Sequence, residues 1–518
     1  MATFNSRQIF GYNRFDRSHR NFLDANLAQV IPIACDYVIP GTSVSRSTDT
    51  FLRMEALQNP AFADVDLEVS HYFVSMNAID PNFSIKLALF GQNSQNPNLL
   101  SADGGALANT FTLSSGVSAG WPASYVSAGS LSDYLGTSLF LDTTSASTSF
   151  PASSVLCMVP YFAYQMVIDR FYRNPRLSDT ERTRKLIRRL YPALSSGILD
   201  GATASALFTS DASLLGAWQS MFQLSKANWL PDYFTTARPT AGGTALNIPG
   251  MDFSGETPDD LTALADALTK KGTIPALWDA ELMQKVSTML EESGYSYFDF
   301  MRTLYDVDLS QSQYENEYPV LLGSSRSPLN IDAVTQTADA GTSSPLGLQA
   351  GQGTAYNRNN GFTRRFSTYG VLLSVVVVRP QCAYFSGIEP VAIPRTVGDL
   401  PIPALADLSD QPIMLSELDS TKAFMDASND GVFGYTSRYQ EYRTTPNRIH
   451  GKLRTVNRDW TLTRQSQTGT ISNTWVLANP DYAPFFVQND SEQHFYLRCH
   501  FNEDWTLPLP QTTRPYVW

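Results

Sequence analysis

Apolar and polar side chains alternate along several segments of the N-terminal hundred residues. The clearest case is DVDLEVSHYFV from Asp64, where the alternation has a period of two residues and so predicts a β-strand. Similar extended segments cover 30–39, which ends at a Pro-Gly turn, and 50–54, which precedes an Asn-Pro break. This part of the chain is therefore predicted to consist of strands joined by turns.

Strands are predicted again toward the C-terminus. Residues 370–379 are a nearly continuous run of β-branched and other apolar side chains, which is typical of a strand buried on both faces. Residues 494–501 alternate in the same way as the N-terminal strands. Both ends of the chain therefore favour β-structure.

The middle of the chain changes to a helical period. Ser178 and Glu181 have the spacing of a capping box and predict a helix over 178–191. Further helices are predicted over 257–271, which has a first-turn proline and a closing glycine, and over 276–293. Residues 91–155 are rich in Ser, Gly, Ala, Thr and Asn, which favours long surface loops.

The order of these elements predicts one β-sandwich with large insertions rather than several domains. An N-terminal arm at 1–29 precedes a body at 30–518, in which the insertions are loop-rich at about 91–155 and helical at about 160–320. The alternative for the loop-rich stretch is a linker between two domains.

Composition adds an expectation about partners. The chain has 518 residues and a net charge of −12, and only 17% of its residues are charged, against about 25% in typical soluble domains. Much of the surface must then be neutral or buried against partners, as in an obligate oligomer. The acidic balance argues against a protein that coats nucleic acid over its whole surface, but it is compatible with a local basic patch.

The sequence gives no support for disulfide bonds, a secretion signal, a membrane span, a metal site or a dinucleotide-binding motif. The four cysteines form no CxxC pair and are predicted to be free thiols in a reducing compartment. The N-terminus lacks the apolar core of a signal peptide, and the longest apolar run is too short to span a bilayer. His494 and His500 flank Arg498 and make a poor metal site, and Gly351-Gln352-Gly353 is interpreted as a flexible loop and not a dinucleotide fingerprint. No catalytic residue, metal or cofactor is predicted.

Charge is segregated along the chain. Residues 251–320 contain fourteen acids against four bases, whereas 170–189 contain eight bases against two acids and 434–464 seven against two. The acidic stretch is expected on the outer surface or around a symmetry axis, away from phosphate. The basic face of the helix at 178–191 is interpreted as solvated or as pairing with another subunit.

Two basic segments are the candidate nucleic-acid contacts. Of the 37 bases 29 are arginines, whose guanidinium groups bind phosphate and stack on rings. In the N-terminal arm they alternate with Phe and Tyr, which suits single-stranded nucleic acid; the alternative is an arm that packs its rings on a neighbouring subunit. The predicted contacts are Arg7, Arg14, Arg17 and Arg20 in the arm and Arg438, Arg443, Arg448, Lys452 and Arg454 in the C-terminal block.

Ordered motifs from about 30 to 500 resemble a known family. They are IPIACDYVIPGTS from Ile31, DVDLEVSHYFV, SLSDYLG from Ser130, PYFAYQMVIDRFYRN from Pro160, DYFTTARP from Asp232, LLGSSRSPLNIDAVTQT from Leu321, FSTYGVLLSVVVVRP from Phe366 and FGYTSRYQEYRTTPNRIHGKLR from Phe433. In this order they are similar to the major capsid proteins of the Microviridae, and most to the gokushovirus-like branch.

The resemblance implies a mainly β fold, a single eight-stranded antiparallel jelly roll with large insertions. It also implies a homo-oligomer, a T=1 icosahedral shell around circular single-stranded DNA. Such a protein would be made in the host cytoplasm, would reside in the virion, and would contact other virion proteins and the host cell surface. It would not be an enzyme and would have no membrane partner. The alternatives are a jelly-roll carbohydrate-binding or carbohydrate-active protein and a cellular single-strand-binding scaffold.

Overall fold

The structure is a computed structural model in which antiparallel β-sheets form the body of the chain. It describes residues 12–59, 61–80, 129–136, 155–195, 212–240, 310–335, 349–392, 410–419, 431–462, 469–480 and 494–509, with short pieces between them. The predicted helices at 257–271 and 276–293, and most of the acidic stretch and of the loop-rich insertion, lie outside the described residues.

One large sheet contains six strands in the spatial order β1-β15-β4-β11-β10, with β2 also paired to β15. Its strands are β1 (Asn13–Asp16), β2 (His19–Ala25), β4 (Ser43–Met54), β10 (Asn330–Thr335), β11 (Gln349–Arg365) and β15 (Phe495–Leu507). All of these pairs are antiparallel. Residues 13–25, which the sequence assigns to the arm, thus contribute two strands to this sheet.

A second sheet has four strands in the order β3-β12-β5-β9, again antiparallel. Its strands are β3 (Val30–Val38), β5 (Val65–Ser75), β9 (Val320–Pro328) and β12 (Gly370–Pro380). Two small sheets are formed by β6 (Thr110–Thr112), β7 (Val155–Cys157) and β8 (Leu199–Asp200), and by β13 (Gln411–Met414) and β14 (Val432–Thr436).

Short helices occupy the connections. The α-helices are α1 (Met76–Ile79), α2 (Leu131–Tyr134), α3 (Val159–Val167), α4 (Arg182–Ser195), α5 (Ala212–Ser220), α6 (Gln311–Glu317), α7 (Leu415–Leu418) and α8 (Asn473–Val476). A π-helical turn, Ile168–Tyr172, continues α3, and 3₁₀ turns form at Pro390–Ala392, Gln440–Tyr442, Gly451–Arg454 and Arg458–Trp460.

The two large sheets pack face to face as a sandwich. Leu52 and Leu497 from the six-stranded sheet share one buried cluster with Ile31, Leu67 and Val376 from the four-stranded sheet. Burial of such side chains stabilises the sandwich by roughly 1.5–3 kcal/mol each. The chain is therefore mainly β, with a sandwich core.

The helical insertion covers the other face of the four-stranded sheet. Tyr72 and Val375 from that sheet share a second buried cluster with Phe162 of α3 and Trp218 of α5. The hydroxyl of Tyr164 donates to the carbonyl oxygen of Val30 at 2.7 Å. The four-stranded sheet is thus enclosed on both sides, and every residue of β5 and β12 is buried.

The structure confirms the strands predicted from periodicity. Residues 370–379 lie in β12, which is buried on both faces as expected. Of the predicted strand 494–501, residues 495–501 lie in β15, where buried and exposed residues alternate. The alternation at 64–74 marks β5, but its polar side is buried too, because Glu68 contacts Arg379 at 3.3 Å and Tyr72 donates to Tyr172 at 3.1 Å.

Two local predictions were wrong. The helix predicted from Ser178 begins at Arg182; Asp179 Oδ1 accepts from the amide of Glu181 at 3.0 Å, and Ser178 donates to Asn473 at 2.9 Å. Ser178 is therefore not the cap, because a tertiary partner takes its hydroxyl.

The second correction concerns the glycines at 351 and 353, which form part of β11 and not a flexible loop. A Cβ on Gly351 would approach Leu57 Cδ1 to 2.8 Å, and one on Gly353 would approach Met54 Cε to 2.6 Å. These glycines therefore accommodate closely packed neighbours within a strand. Of the predicted free thiols, Cys35, Cys382 and Cys499 are confirmed, and the side chain of Cys157 lies outside the described residues.

Candidate nucleic-acid interface

The outer face of the six-stranded sheet displays arginines and aromatic rings. Strand residues point alternately to the core and away from it, and on β4 and β15 the outward residues have odd and even numbers respectively. Eight of the exposed arginines and aromatic residues on this face lie toward its middle and its β2 side, namely Arg20, Phe22, Phe51, Arg53, Tyr356, Arg358, Tyr496 and Arg498. We call this set the outer basic face.

Strand register places four of these side chains in one row across the sheet. Phe22 lies opposite Arg498, Arg498 opposite Phe51, and Phe51 opposite Tyr356. The Arg498 guanidinium carbon lies 5.8 Å from the centre of the Phe51 ring. Phe22 is 76% exposed and Tyr356 60% exposed, so their rings are accessible at the two ends of the row.

Carboxylates also point outward on this sheet, among them Asp24, Asp49 and Asp504, but they do not pair with all of the arginines. Among the described residues, Arg20 and Arg53 have no carboxylate partner, and Arg358 lies 3.9 Å from Asp49. Asp24 accepts a hydrogen bond from Tyr134 at 2.8 Å. A surface of this kind combines phosphate-binding groups with rings on which bases can stack.

The structure brings three predicted arm arginines together at one edge of this sheet. Arg14 pairs with Asp504, with Nε 2.8 Å from Oδ1, and Arg17 pairs with Asp36 at 2.7 Å. The Arg17 guanidinium also lies 4.3 Å from the Trp505 ring centre. Arg20 belongs to the outer basic face, and Arg7 lies outside the described residues.

The second predicted group lies in loops next to the small β13–β14 sheet. Arg438 stacks over the Tyr439 ring at 5.4 Å, Arg443 and Lys452 are exposed, and Arg454 is half-buried. Arg448 instead donates to the carbonyl oxygens of Ser386, Ile388 and Glu417, at 2.8–3.4 Å. In the described part of the chain, no hydrogen bond, ion pair or ring contact joins this group to the arm arginines.

The basic stretch at 170–189 is largely paired within the chain. Arg184 contacts Glu181 and Glu317 at 2.9 and 3.3 Å, and Lys185 contacts Asp179 at 2.6 Å. Arg188 and Arg189 remain exposed on α4. This helix therefore offers two exposed arginines rather than a continuous basic face.

The two buried histidines, His71 and His494, make protein contacts. His494 Nδ1 lies 3.0 Å from Glu55 Oε2, and burial lowers the pKa of His71 to about 3. No group of three or more potential metal ligands occurs within the described ranges. None of the helices described is both long and apolar enough to cross a membrane.

Most of the outer basic face was missed in the sequence. Arg53, Arg358 and Arg498 belong to strands distant along the chain, and only strand pairing brings them together. The available signal was the alternation itself, which places Phe51 with Arg53 on one side of a strand and Tyr496 with Arg498 on one side of another.

Comparison with known proteins identifies the family of this chain. The model of the phage capsid protein (F protein) family matches residues 10–266 and 250–517. The capsid protein VP1 of Chlamydia phage 1 is 23% identical, with 97% of this chain and 95% of the relative covered. The capsid protein VP1 of Bdellovibrio phage phiMH2K is also 23% identical, over 85% of this chain and 82% of the relative.

These matches confirm the resemblance to the Microviridae and decide against a carbohydrate-active protein. The chain belongs to the phage capsid protein (F protein) family and is a major capsid protein, a structural component of the virion and not an enzyme.

Proposed function

We propose that this capsid protein forms a T=1 icosahedral shell around circular single-stranded DNA, with the outer basic face toward the DNA. The observation that supports the orientation is the asymmetry of the sandwich. The insertion covers the four-stranded sheet, whereas the six-stranded sheet presents a polar face with basic and aromatic side chains. The phosphates of DNA are attracted to a basic surface, so the six-stranded sheet is the side that would face the DNA.

We further propose that the body is a single eight-stranded jelly roll. Taken in chain order, β2, β3, β4, β5, β9, β11, β12 and β15 give the spatial orders β2-β15-β4-β11 and β3-β12-β5-β9. Two four-stranded sheets with this interleaving form a jelly roll of two Greek keys. On this interpretation β1 extends the first strand and β10 is an addition at the edge.

The predicted contact residues divide into three roles in this proposal. Arg20, the exposed Arg443 and Lys452, and the half-buried Arg438 and Arg454 bind phosphate, together with Arg7. Arg14 and Arg17 are already paired with Asp504 and Asp36. They therefore hold the arm strands on the sheet, and their partly neutralised charges attract phosphate less strongly. Arg448 positions the loops whose carbonyl oxygens it binds.

The proposed orientation of the shell also indicates which side would contact the remaining partners. Other virion proteins and the host cell surface would contact the side formed by the insertions, which faces away from the DNA in this orientation. Synthesis in the host cytoplasm agrees with the free thiols. The arm at 1–29 and the body at 30–518 remain our division, with 13–25 docked on the sheet.

The test is to image purified full-length protein by electron microscopy and to measure DNA per particle. We expect closed particles of uniform diameter with nucleic-acid density next to the six-stranded sheet. A stable monomer would contradict the shell, and DNA density only against the helical insertion would contradict the orientation.

Aromatic variants test the stacking contribution separately. Phe22→Leu combined with Tyr356→Leu removes two exposed rings from the row, each worth roughly 1–3 kcal/mol per stacked base, and should reduce ordered DNA at this face. Phe62→Leu is the matched control, because Phe62 is also 76% exposed but lies in the β4–β5 connection.

A further inference from the structure

A cavity of about 530 Å³ lies beside the helical insertion, away from the outer basic face. Its walls come from the end of the π-helical turn and the residues after it, from the segment 228–238, and from the end of β14 with the residues that follow. The volume is in the range of pockets that enclose small ligands. Among its described lining residues are four arginines and no acid, namely Arg173, Arg176, Arg238 and Arg379.

Two buried polar atoms of the cavity wall lack a hydrogen-bond partner among the described residues. They are Nε of Arg379 and Oδ1 of Asn228, on residues that are 8% and 7% exposed. Arg379 keeps one ion pair, from Nη1 to Glu68 at 3.3 Å. Buried donors and acceptors are normally satisfied, so a ligand suited to this cavity would offer an acceptor to Arg379 and a donor to Asn228.

The charge beside the cavity favours an anion. Asp169 is shared by Arg173 at 3.2 Å and Arg182 at 3.6 Å, so one carboxylate faces two guanidinium groups. Arg238 is paired with Asp410 at 3.1 Å, so the excess of cations comes from the other arginines. Arg176 is held in place by the carbonyl oxygen of Thr236. Arginines fixed by such contacts bind phosphate with little loss of side-chain freedom.

Aromatic residues form another part of the wall. Phe171, Tyr172 and Trp229 line the cavity, and the Arg379 guanidinium lies 5.5 Å from the Tyr172 ring centre. Aromatic faces pack against planar bases and against the apolar side of sugar rings. The cavity therefore pairs an anion-binding group with a surface for a ring.

We propose that this cavity binds a phosphate ester of a ring compound that carries hydrogen-bond donors, either a nucleotide unit or a sugar phosphate. The phosphate would contact Arg379 and Arg176, and a hydroxyl or amino group would donate to Asn228. Ligand binding to this cavity does not require shell formation or packaged DNA. If the proposed shell or the proposed DNA orientation is contradicted, the binding experiment still tests this site.

The experiment measures binding of thymidine monophosphate, a five-residue oligothymidylate, glucose 6-phosphate and inorganic phosphate to purified full-length protein by equilibrium dialysis. We expect saturable binding of at least one ring ester, with a Kd of about 1 mM or tighter, and binding of inorganic phosphate at least tenfold weaker. Tighter binding of the two thymidine probes would identify the ligand as a nucleotide unit, and tighter binding of glucose 6-phosphate would identify it as a sugar phosphate. Absence of saturable binding by every ring ester, or equal affinity for inorganic phosphate, would overturn the proposal.

Variants assign the binding to the cavity. Asn228→Asp adds a carboxylate of the same shape and Arg176→Gln removes a cation, and each should weaken ring-ester binding at least tenfold. Arg188→Gln removes the same charge from the exposed face of α4 and should change affinity less than twofold. Thermal unfolding of each variant checks the fold. Equal weakening by all three variants would place the binding elsewhere and refute the site.

Discussion

Arg46 and Glu503 form an ion pair between neighbouring strands at the centre of the sandwich, with Nε 2.8 Å from Oε1. Both side chains are almost fully buried, at 0% and 1% exposure. Arg46 also contacts Asp36 and donates to Ser374 at 2.8 Å, residues of the opposing sheet. This one guanidinium therefore links β4 and β15 to β3 and β12, and Trp505 completes the contacts by donating to Glu503 at 2.7 Å.

Replacement of Arg46 by methionine should destabilise the fold severely. It leaves the Glu503 carboxylate buried without its cation, and removing one partner of a buried pair typically costs about 3–5 kcal/mol. We expect a large fall in the midpoint of thermal unfolding, or loss of soluble protein.

The double variant Arg46→Met with Glu503→Leu should recover part of that loss, because no unpaired charge then stays in the core. Arg53→Met on the same strand is the control, and its exposed side chain predicts a change within about 0.5 kcal/mol. A double variant less stable than Arg46→Met alone would contradict this account.

Stability should also depend on the protonation of Glu417. Burial raises the pKa of Glu417 to about 7, from an ordinary value of 4.5. The folded state thus binds the proton more tightly than the unfolded state, and this contribution is present at low pH and lost as pH rises from about 4.5 to 7. The loss is on the order of 1–3 kcal/mol.

Glu417→Gln should flatten that decline, since the amide keeps an acceptor for the Met414 amide and does not ionise. Thermal unfolding of both proteins from pH 4.5 to 7.5 provides the comparison. If the variant loses stability as steeply as the natural sequence over this range, Glu417 is not the responsible group.

Gly361 should not tolerate a side chain. It has a positive φ of 74° in β11, where the register shifts between Asn359 and Phe362, and a Cβ there would collide with the backbone of Arg46. Gly361→Ala is expected to cost at least about 1–3 kcal/mol. Gly353→Ala is the comparison, because its nearest neighbour is the flexible end of Met54; equal effects in unfolding experiments would count against the backbone explanation.

Local periodicity was enough to predict β3, β5, β12, β15 and the end of β4, because the two-residue alternation is imposed by the pleat itself, but it did not reveal β1, β2, β9, β10 or β11. It could not show that Glu68 and Tyr72 are buried, since that depends on Arg379 and Tyr172 more than a hundred residues away. Gly351 and Gly353 were wrongly interpreted as part of a flexible loop for a related reason. Their lack of side chains reflects Leu57 and Met54 packed against the strand, which no local pattern reveals.

The candidate interface was predictable only in part. Charge and aromatic content indicated the arm, and Arg20 does lie on the outer basic face. The other residues of the outer basic face come from strands near residues 50, 356 and 498. The register that aligns these strands is a tertiary property, which the local sequence does not show. Arg448 illustrates the converse, since its sequence neighbours suggest phosphate whereas its hydrogen bonds go to main-chain carbonyl oxygens.

The salt dependence of DNA binding should distinguish a DNA-facing surface from a subunit contact. Each phosphate neutralised on a single strand contributes about 0.7 to the slope of log affinity against log salt, so Arg20→Gln with Arg498→Gln should reduce the slope by about 1.4. Arg188→Gln with Arg189→Gln removes equal charge from α4 and should leave the slope unchanged. If the first pair instead lowers particle yield while DNA per particle stays constant, these arginines hold a neighbouring subunit, as in the alternative interpretation of the arm. Reduced DNA content in particles of normal yield and diameter is the result that the proposed orientation requires.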